Sequence, residues 1–301
     1  MNTEPLFLLG PTGSGKSAAA VALAERLGRA EIISADAYQV YRGMPVITAA
    51  PTAEEQARVP HHLVGFLPPT ENNDAALHAR RAQDCIRAVQ ARGNRPIITG
   101  GSGLYVKFIS HGISPAPPSD PALRAELTAL PLEECVRRFQ EADPEGAAAT
   151  DLHNPRYVVR NLEIVLLGHR PLSFWKNNWS TPCGPGIVLT REVEELDARI
   201  ARRSAAMLAG GAIEEVRALE QAGVRLSPTA AKTLGLAQIS DYLAGKLPRR
   251  ELQGAIALAT RQYAKRQRTW LRREQWLQSL AVSADDTADS LADRIMPLLQ
   301  N

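Results

Sequence analysis

The sequence predicts an α/β fold, a parallel sheet covered by helices with an inserted helical domain, on three observations. Short apolar runs alternate with longer alanine- and leucine-rich stretches in the N-terminal part of the chain, the pattern of strands joined by crossover helices. The stretch GPTGSGKS, Gly10 to Ser17, lies between one such run and one such stretch. That loop needs a strand before it and a helix after it, so it points to a P-loop NTPase-like sheet, the alternative being a glycine turn that merely caps a helix. From Ile113 the texture changes: Pro115, Pro117, Pro118 and Pro121 crowd together, and helical patterns continue to about Gly168 with little strand character.

The elements follow in order. Leu6 to Leu9 is an apolar run stopped by Gly10, and Lys16 to Leu27 forms a helical pattern closed by Gly28. Glu31 to Ser34 reads as a second strand, Asp74 to Ala91 as a helix stopped by Gly93, and Pro96 to Thr99 as another buried strand. Gly186 to Thr190 reads as a returning strand, after which Glu192 to Gly210, Ala212 to Ala222 and Arg249 to Arg273 are helical in pattern, so the chain is expected to end mostly on helices. A catalytic core of residues 1–112 and 186–301 is therefore expected, with a helical insertion over 113–185. The cluster Asp285, Asp286, Asp289 and Asp293 reads as a solvated face.

Composition excludes several classes. With 301 residues, 45% hydrophobic and 22% charged, the chain matches a folded globular protein and no disordered or fibrous one. A net charge of +3 is too small to imply a polyanion partner, so the placement of the basic residues must decide. Cys85, Cys135 and Cys183 are odd in number, far apart and in no CxxC pair, which indicates neither a disulfide framework nor a zinc site. No stretch reaches the roughly 18 apolar residues that a membrane span needs. No membrane association, a reducing compartment, a cytoplasmic location and a monomer are expected.

In GPTGSGKS the glycines let backbone N–H groups turn inward around phosphate oxygens, the helix start adds partial positive charge, and Lys16 and Ser17 supply a cation and a magnesium ligand. Gly10, Pro11, Thr12, Gly13, Ser14, Gly15, Lys16 and Ser17 are thus the expected phosphate-binding residues. The phosphate belongs to a nucleoside triphosphate or to any other diphosphate-bearing compound. SADAYQVYRGM places Asp36 just past the second strand, where its carboxylate serves as a general base, a turn cap or a magnesium ligand; the base is favoured. TGGSGLYVK, Thr99 to Lys107, repeats strand, glycine turn and helix. Its N–H groups and the Ser102 hydroxyl form either a second polar nest or a tight strand-to-helix turn. His61 and His62 are adjacent, so on a strand they point to opposite faces and read as structural.

TRQYAKRQRTWLRR, Thr260 to Arg273, is basic throughout and contains no acid. Arg261, Lys265, Arg268 and Arg272 fall on one helical stripe, with Ile256, Ala259, Tyr263 and Trp270 on the side expected to be buried. Like charges along a stripe repel, by about 0.2–0.5 kcal/mol per neighbouring pair, and a nucleic-acid backbone or acids from elsewhere in the chain would neutralise them. NPRYVVR offers Arg156 and Arg160 one turn apart, and DARIARR places arginines where one can reach back to the phosphate loop.

Taken in this order, GPTGSGKS, SADAYQVYRGM, HHLVGF, TGGSGLYVK, DARIARR and TRQYAKRQRTW resemble the bacterial-type tRNA dimethylallyltransferase family from about Phe7 to Arg273. The resemblance implies transfer of a dimethylallyl group from its diphosphate to N6 of the adenosine just 3′ of the anticodon, with magnesium and without consumption of ATP. It implies that Asp36 is the catalytic base, that Ser102, where the family usually has threonine, helps place the amine or Asp36, and that Lys16 and Arg203 neutralise the leaving diphosphate. It also implies contacts to the tRNA anticodon stem-loop from Asp36, Ala37, Tyr38 and Gln39, from Ser102 and Arg124, and from Arg156, Tyr157, Val158, Val159 and Arg160. Further contacts are implied from Thr233, Gly235 and Gln238, and from Lys265, Arg266, Arg268 and Arg272. The chain departs from the family pattern at Pro45, Ile47 and Ala50, where DIGTAKP is usual, at Gly65, and at Leu236, where IGY is usual. Two other classes fit parts of the sequence: a phosphotransferase using the loop for ATP, which leaves the basic helix unexplained, and a non-catalytic RNA-binding protein, against which the intact Lys16, Ser17 and Asp36 argue.

Overall fold

The computed structural model describes residues 2–299, Asn177 by its backbone alone. It divides into two compact units, Met1–Ser110 with Pro182–Asn301, and His111–Thr181. In the first, β1 (Leu6–Leu9) leads to α1 (Lys16–Leu27) and β2 (Ala30–Ala35). Then α2 (Pro45–Thr48) and α3 (Ala53–Arg58) precede the short β3 (His61–His62), and α4 (Ala75–Ala91) crosses back to β4 (Arg95–Gly100) and α5 (Gly103–Ser110). The second unit holds α6 (Pro121–Ala129), α7 (Leu132–Ala142), α8 (Pro144–Ala148), α9 (Pro155–Gly168) and α10 (Leu172–Asn177). The chain returns to the first unit through β5 (Gly186–Thr190), α11 (Val193–Ala209), α12 (Ala212–Gln221), α13 (Leu236–Leu243), α14 (Arg249–Leu271), β6 (Leu277–Ala281) and α15 (Ala288–Ile295).

The six strands are all parallel and lie in the order β3-β2-β4-β1-β5-β6. β1, β2 and β4 are buried at every residue, because helices cover both faces of the sheet at these central strands. Leu6, Leu8, Ile32 and Ile97 pack under α1 and α15. Phe7, Leu9, Ile33 and Ile98 pack under α4 and α5. A third cluster, including Tyr41, Ile47, Val216, Leu236 and Ile256, ties α2, α12, α13 and α14 together.

Register aligns the carboxyl ends of the central strands. Leu9 and Ala35 both stand beside Gly100, so the loops beginning at Gly10, Asp36 and Gly101 leave the sheet at one level. The approach is close: a Cβ on Gly100 would lie 2.5 Å from the Ala35 carbonyl oxygen, so this strand end admits no larger residue.

In the second unit three helices start on Asp120-Pro121, Asp143-Pro144 and Asn154-Pro155. Each capping side chain accepts a backbone N–H, from Leu123 at 2.8 Å, Gly146 at 2.9 Å and Arg156 at 3.2 Å, and each proline has its fixed φ preset for the helix. Leu127, Phe139, Val158 and Leu162 form the centre of this unit's core. Glu163 is buried there too, accepting from the Ser119 hydroxyl at 2.8 Å and the Asp120 N–H at 3.0 Å and pairing with Arg124 and Arg160.

Three expectations need correction. The C-terminal region contains the parallel strand β6, missed because as an edge strand it is half exposed and its LQSLA sequence lacks a continuous apolar run. Asp289 and Asp293 are exposed but pair with Arg26, and Asp286, its side chain 11% exposed, pairs with Arg294 and accepts the Ser283 N–H at 2.8 Å. The exposed pairs add contacts between α15 and α1, and Asp286 alone departs from a solvated face. On α14 the buried seam is Leu252, Ile256, Thr260, Ala264, Gln267 and Leu271; Ala259, Tyr263 and Trp270 are only partly covered.

Candidate active site

The phosphate loop is held from outside by side chains of three other segments. Gly15, at φ 97°, turns the chain into α1 in a backbone conformation that L side chains resist. Arg191 Nε donates to the Ser14 carbonyl at 3.0 Å and Arg199 Nε to the Gly13 carbonyl at 2.8 Å. The Thr12 N–H donates to Gln267 Oε1 at 2.8 Å and the Ser14 N–H to the Pro11 carbonyl at 3.1 Å. With these groups tied, the N–H groups of Gly13, Gly15, Lys16 and Ser17 donate to no other group among the described residues. They form a nest with the helix start behind it, the electrostatic requirement for a phosphate.

A cleft of about 420 Å³ opens over this nest, lined by Lys16, Ser17, Ala50, Arg199, Arg202 and Arg203 among others. A narrower cavity of about 40 Å³ is lined by Thr12, Asp36, Tyr38, Arg203, Thr233 and Tyr263 among others. Arg203 lines both. Burial pushes the Lys16 ammonium down to about 8; Arg203 adds to the shift and Asp36 opposes it. Burial likewise holds the Arg203 guanidinium below its ordinary value, against the pull of Asp36. Two cations facing one cleft, each disfavoured by its surroundings, define a site that gains by taking up an anion.

Asp36 leaves β2 with Oδ1 accepting the Tyr38 N–H at 2.8 Å and the Gln39 N–H at 3.3 Å. It therefore caps the turn with one oxygen while the carboxylate lines the narrow cavity. The Ser102 hydroxyl accepts the Ala37 N–H at 3.4 Å and lies 3.0 Å from the Tyr263 hydroxyl. Burial, with Asp36 adding to it, raises the Tyr263 phenol well above its usual value and keeps it neutral.

The other expected contact residues separate into distinct groups. Gln39 is tied to the Ser34 hydroxyl and the Ala49 carbonyl, and Thr233 to the Ala230 carbonyl; Gly235 caps α13 at φ 90°. Lys265, Arg266 and Arg272 are exposed and Arg268 half-buried. Among the described residues, none of Arg261, Lys265, Arg268 and Arg272 enters an ion pair. In the second unit, by contrast, Arg124 and Arg160 are bound to Glu163, and the side chains of Val158 and Val159 lie in the core; Arg156 and Tyr157 face outward. The helix periodicity that exposes Arg156 and Tyr157 buries the next two positions.

The altered segment around Pro45 is ordered as α2. Glu215 accepts the Val46 N–H at 3.0 Å and the Ile47 N–H at 2.8 Å, and Pro45 takes the first helical position. Gly65, at φ 60°, donates to the Gln39 carbonyl, and Leu236 packs into the core. His61 and His62 bond the Val59 carbonyl and Glu31, consistent with structural roles. The sequence reading did not single out Gln267, Arg191 or Glu215. The available signal for Gln267 was a polar residue at a helical position where periodicity calls for an apolar one. Among the described residues no cluster of three His, Cys, Asp or Glu could hold a metal ion, and no helix is long and apolar enough to cross a membrane.

A parallel sheet whose central strand ends in a nest of backbone N–H groups, with a carboxylate two strands away and, among the described residues, a basic helical stripe outside any ion pair, defines a P-loop group-transfer protein. The family model described as IPP transferase matches residues 39–274. The chain belongs to this IPP transferase family. It is 57% identical over 292 residues to a tRNA dimethylallyltransferase of Akkermansia muciniphila, covering 97% of this chain and 98% of the relative. It is 41% identical to another of Anaeromyxobacter sp., covering 97% and 96%. The structure of the tRNA isopentenylpyrophosphate transferase of Bacillus halodurans superposes with a TM-score of 0.71 at 32% identity, covering 99% of this chain and 97% of that one.

Proposed function

We propose that this chain transfers the dimethylallyl group of dimethylallyl diphosphate to N6 of the adenosine 3′-adjacent to the anticodon, in tRNAs reading codons that begin with U. The products are N6-isopentenyladenosine and diphosphate. The observation that carries this reading is the register of β1, β2 and β4, which brings the nest, Asp36 and Ser102 to one end of the sheet where Lys16 and Arg203 face the same cleft. The allylic C–O bond breaks as the nest, Lys16 and Arg203 take the negative charge of the departing diphosphate. The new C–N bond forms from the adenine amine, a weak nucleophile because its lone pair is delocalised into the ring, and Asp36 accepts the amine proton. Ser102, held by Ala37 and Tyr263, orients the amine or the carboxylate.

The exposed Ser17 hydroxyl would hold magnesium together with oxygens of the substrate and water, since that ion is commonly held by few protein ligands. When bound it supplies further neutralisation of diphosphate charge. The target base must leave the anticodon-loop stack, at a cost of a few kcal/mol, and phosphate contacts from Arg261, Lys265, Arg268 and Arg272 offset that cost. We place the enzyme in the cytoplasm, acting as a monomer.

The deciding assay incubates purified protein, magnesium, labelled dimethylallyl diphosphate and unmodified tRNA, then digests the RNA. Labelled isopentenyladenosine formed by the parent protein and absent with Asp36→Ala is expected. Hydrolysis of ATP coupled to phosphorylation of a small acceptor would replace this reading with a kinase. RNA binding without any transfer would leave a binding protein.

A further inference from the structure

Gln267 sits mid-way along the most basic helix of the chain, yet it is only 4% exposed. A buried amide is costly unless bonded, and its oxygen is bonded: it accepts the Thr12 N–H across 255 residues of sequence. Its nitrogen lies against the glycine turn after β4, where a Cβ on Gly101 would come within 2.5 Å of Nε2 and 2.6 Å of the Gly10 carbonyl oxygen. The side chain therefore wedges between the phosphate loop and the Ser102 loop. One turn earlier Tyr263 meets Ser102, and one turn later Trp270 packs so closely that a Cβ on Gly103 would lie 2.6 Å from its ring. Tyr263, Gln267 and Trp270 are spaced i, i+4 and i+7, so one face of α14 rests on the loops at the ends of β1 and β4. The unpaired stripe Arg261, Lys265, Arg268 and Arg272 runs along another face of the same helix.

We propose that Gln267 is a positioning residue that couples engagement of an RNA backbone by α14 to the shape of the diphosphate nest. The inference rests on the reading of GPTGSGKS as the diphosphate site and of α14 as an RNA face. A rigid helix displaced or fixed by RNA on one side carries Gln267 with it, and the Thr12 N–H follows at the entrance to the nest. Such coupling is reciprocal: RNA must tighten diphosphate binding by the same factor that diphosphate tightens RNA binding.

The test titrates inorganic pyrophosphate into the full-length protein with and without saturating unmodified tRNA. The parent protein should bind pyrophosphate about tenfold more tightly with tRNA present, within the usual range of such couplings. Gln267→Met and Gln267→Asn should keep the tRNA affinity of the diphosphate-free protein within about twofold and abolish the enhancement; in turnover at saturating tRNA, the KM for dimethylallyl diphosphate should rise by up to about tenfold. No enhancement in the parent protein, or an equal enhancement in the variants, overturns the inference. Loss of pyrophosphate affinity to the same extent with and without tRNA also overturns it, because a merely structural glutamine behaves that way. Unchanged pyrophosphate binding in Lys16→Ala would instead overturn the underlying assignment of the nest. Should both glutamine variants fail to fold, hydrogen exchange on the parent protein decides: pyrophosphate alone should slow amides around residues 263–271, and unaltered exchange there overturns the coupling.

Discussion

Lys16 and Asp36 illustrate how one side chain can be read from sequence while its chemistry depends on its neighbours. Lys16 is fixed by its motif, but burial and Arg203 bring its ammonium down to about 8, within reach of ordinary assay conditions. A bound diphosphate favours the charged form and raises that value. Affinity is therefore full below pH 8 and declines as pH rises through 8, by up to about tenfold per unit until the complex itself deprotonates. Pyrophosphate titrations from pH 7 to 10 on the parent protein and Lys16→Arg should differ by this component, and identical profiles would remove Lys16 from the site. Asp36 has one oxygen committed to the turn, so Asp36→Asn keeps a cap and loses the base. Transfer should fall by about 10²- to 10⁴-fold, the usual worth of a general base, while filter-binding affinity for tRNA stays within about twofold of the parent.

At the scale of elements, arginines that look alike in sequence differ in what surrounds them. On α14 the stripe enters no ion pair among the described residues, whereas Arg124 and Arg160 converge on the buried Glu163. Lys265→Ala and Arg272→Ala should each weaken tRNA binding and reduce its log–log salt slope by roughly 0.7–0.9; a slope that does not move would remove α14 from the RNA face. Glu163→Ala should act on folding, leaving two guanidiniums without their partner and costing about 3 kcal/mol in urea unfolding. NPRYVVR suggested a second RNA contact because its spacing exposes a pair of arginines. Spacing alone does not reveal a buried acid three residues beyond Arg160, and Glu163 decides what Arg160 does.

For the whole molecule, the parallel sheet is the instrument that assembles the site. Most strands and long helices were legible from runs, caps and stops, because a strand buried on both faces must be continuously apolar and a helix must end where glycine or proline ends it. Among the elements that escaped, β6 and the short α2 have no such signature: β6 is half exposed, and α2 depends on Glu215 from a distant helix. Gly100 tests the assembly directly. Gly100→Ala should push β2 and β4 apart, costing about 1–3 kcal/mol in stability as an overpacked contact. A displacement of Asp36 and Ser102 approaching 1 Å should also lower transfer by roughly 10²-fold. Full transfer activity in a folded Gly100→Ala protein would show that the register of these strand ends does not set the chemistry.

The sequence by itself determined the local pieces: the glycine-rich nest, the strand and helix order, the inserted helical segment and the basic stripe, each encoded within a few residues by backbone geometry and periodicity. Tertiary structure alone decided which charges remain available and which are committed, that Arg191, Arg199 and Gln267 hold the nest from outside, and that Asp36 shares a cavity with Arg203. The physical reason is range. Turns, caps and helical faces arise from neighbours along the chain, whereas burial, proton affinity and the pairing of charges depend on groups brought together only when distant segments pack.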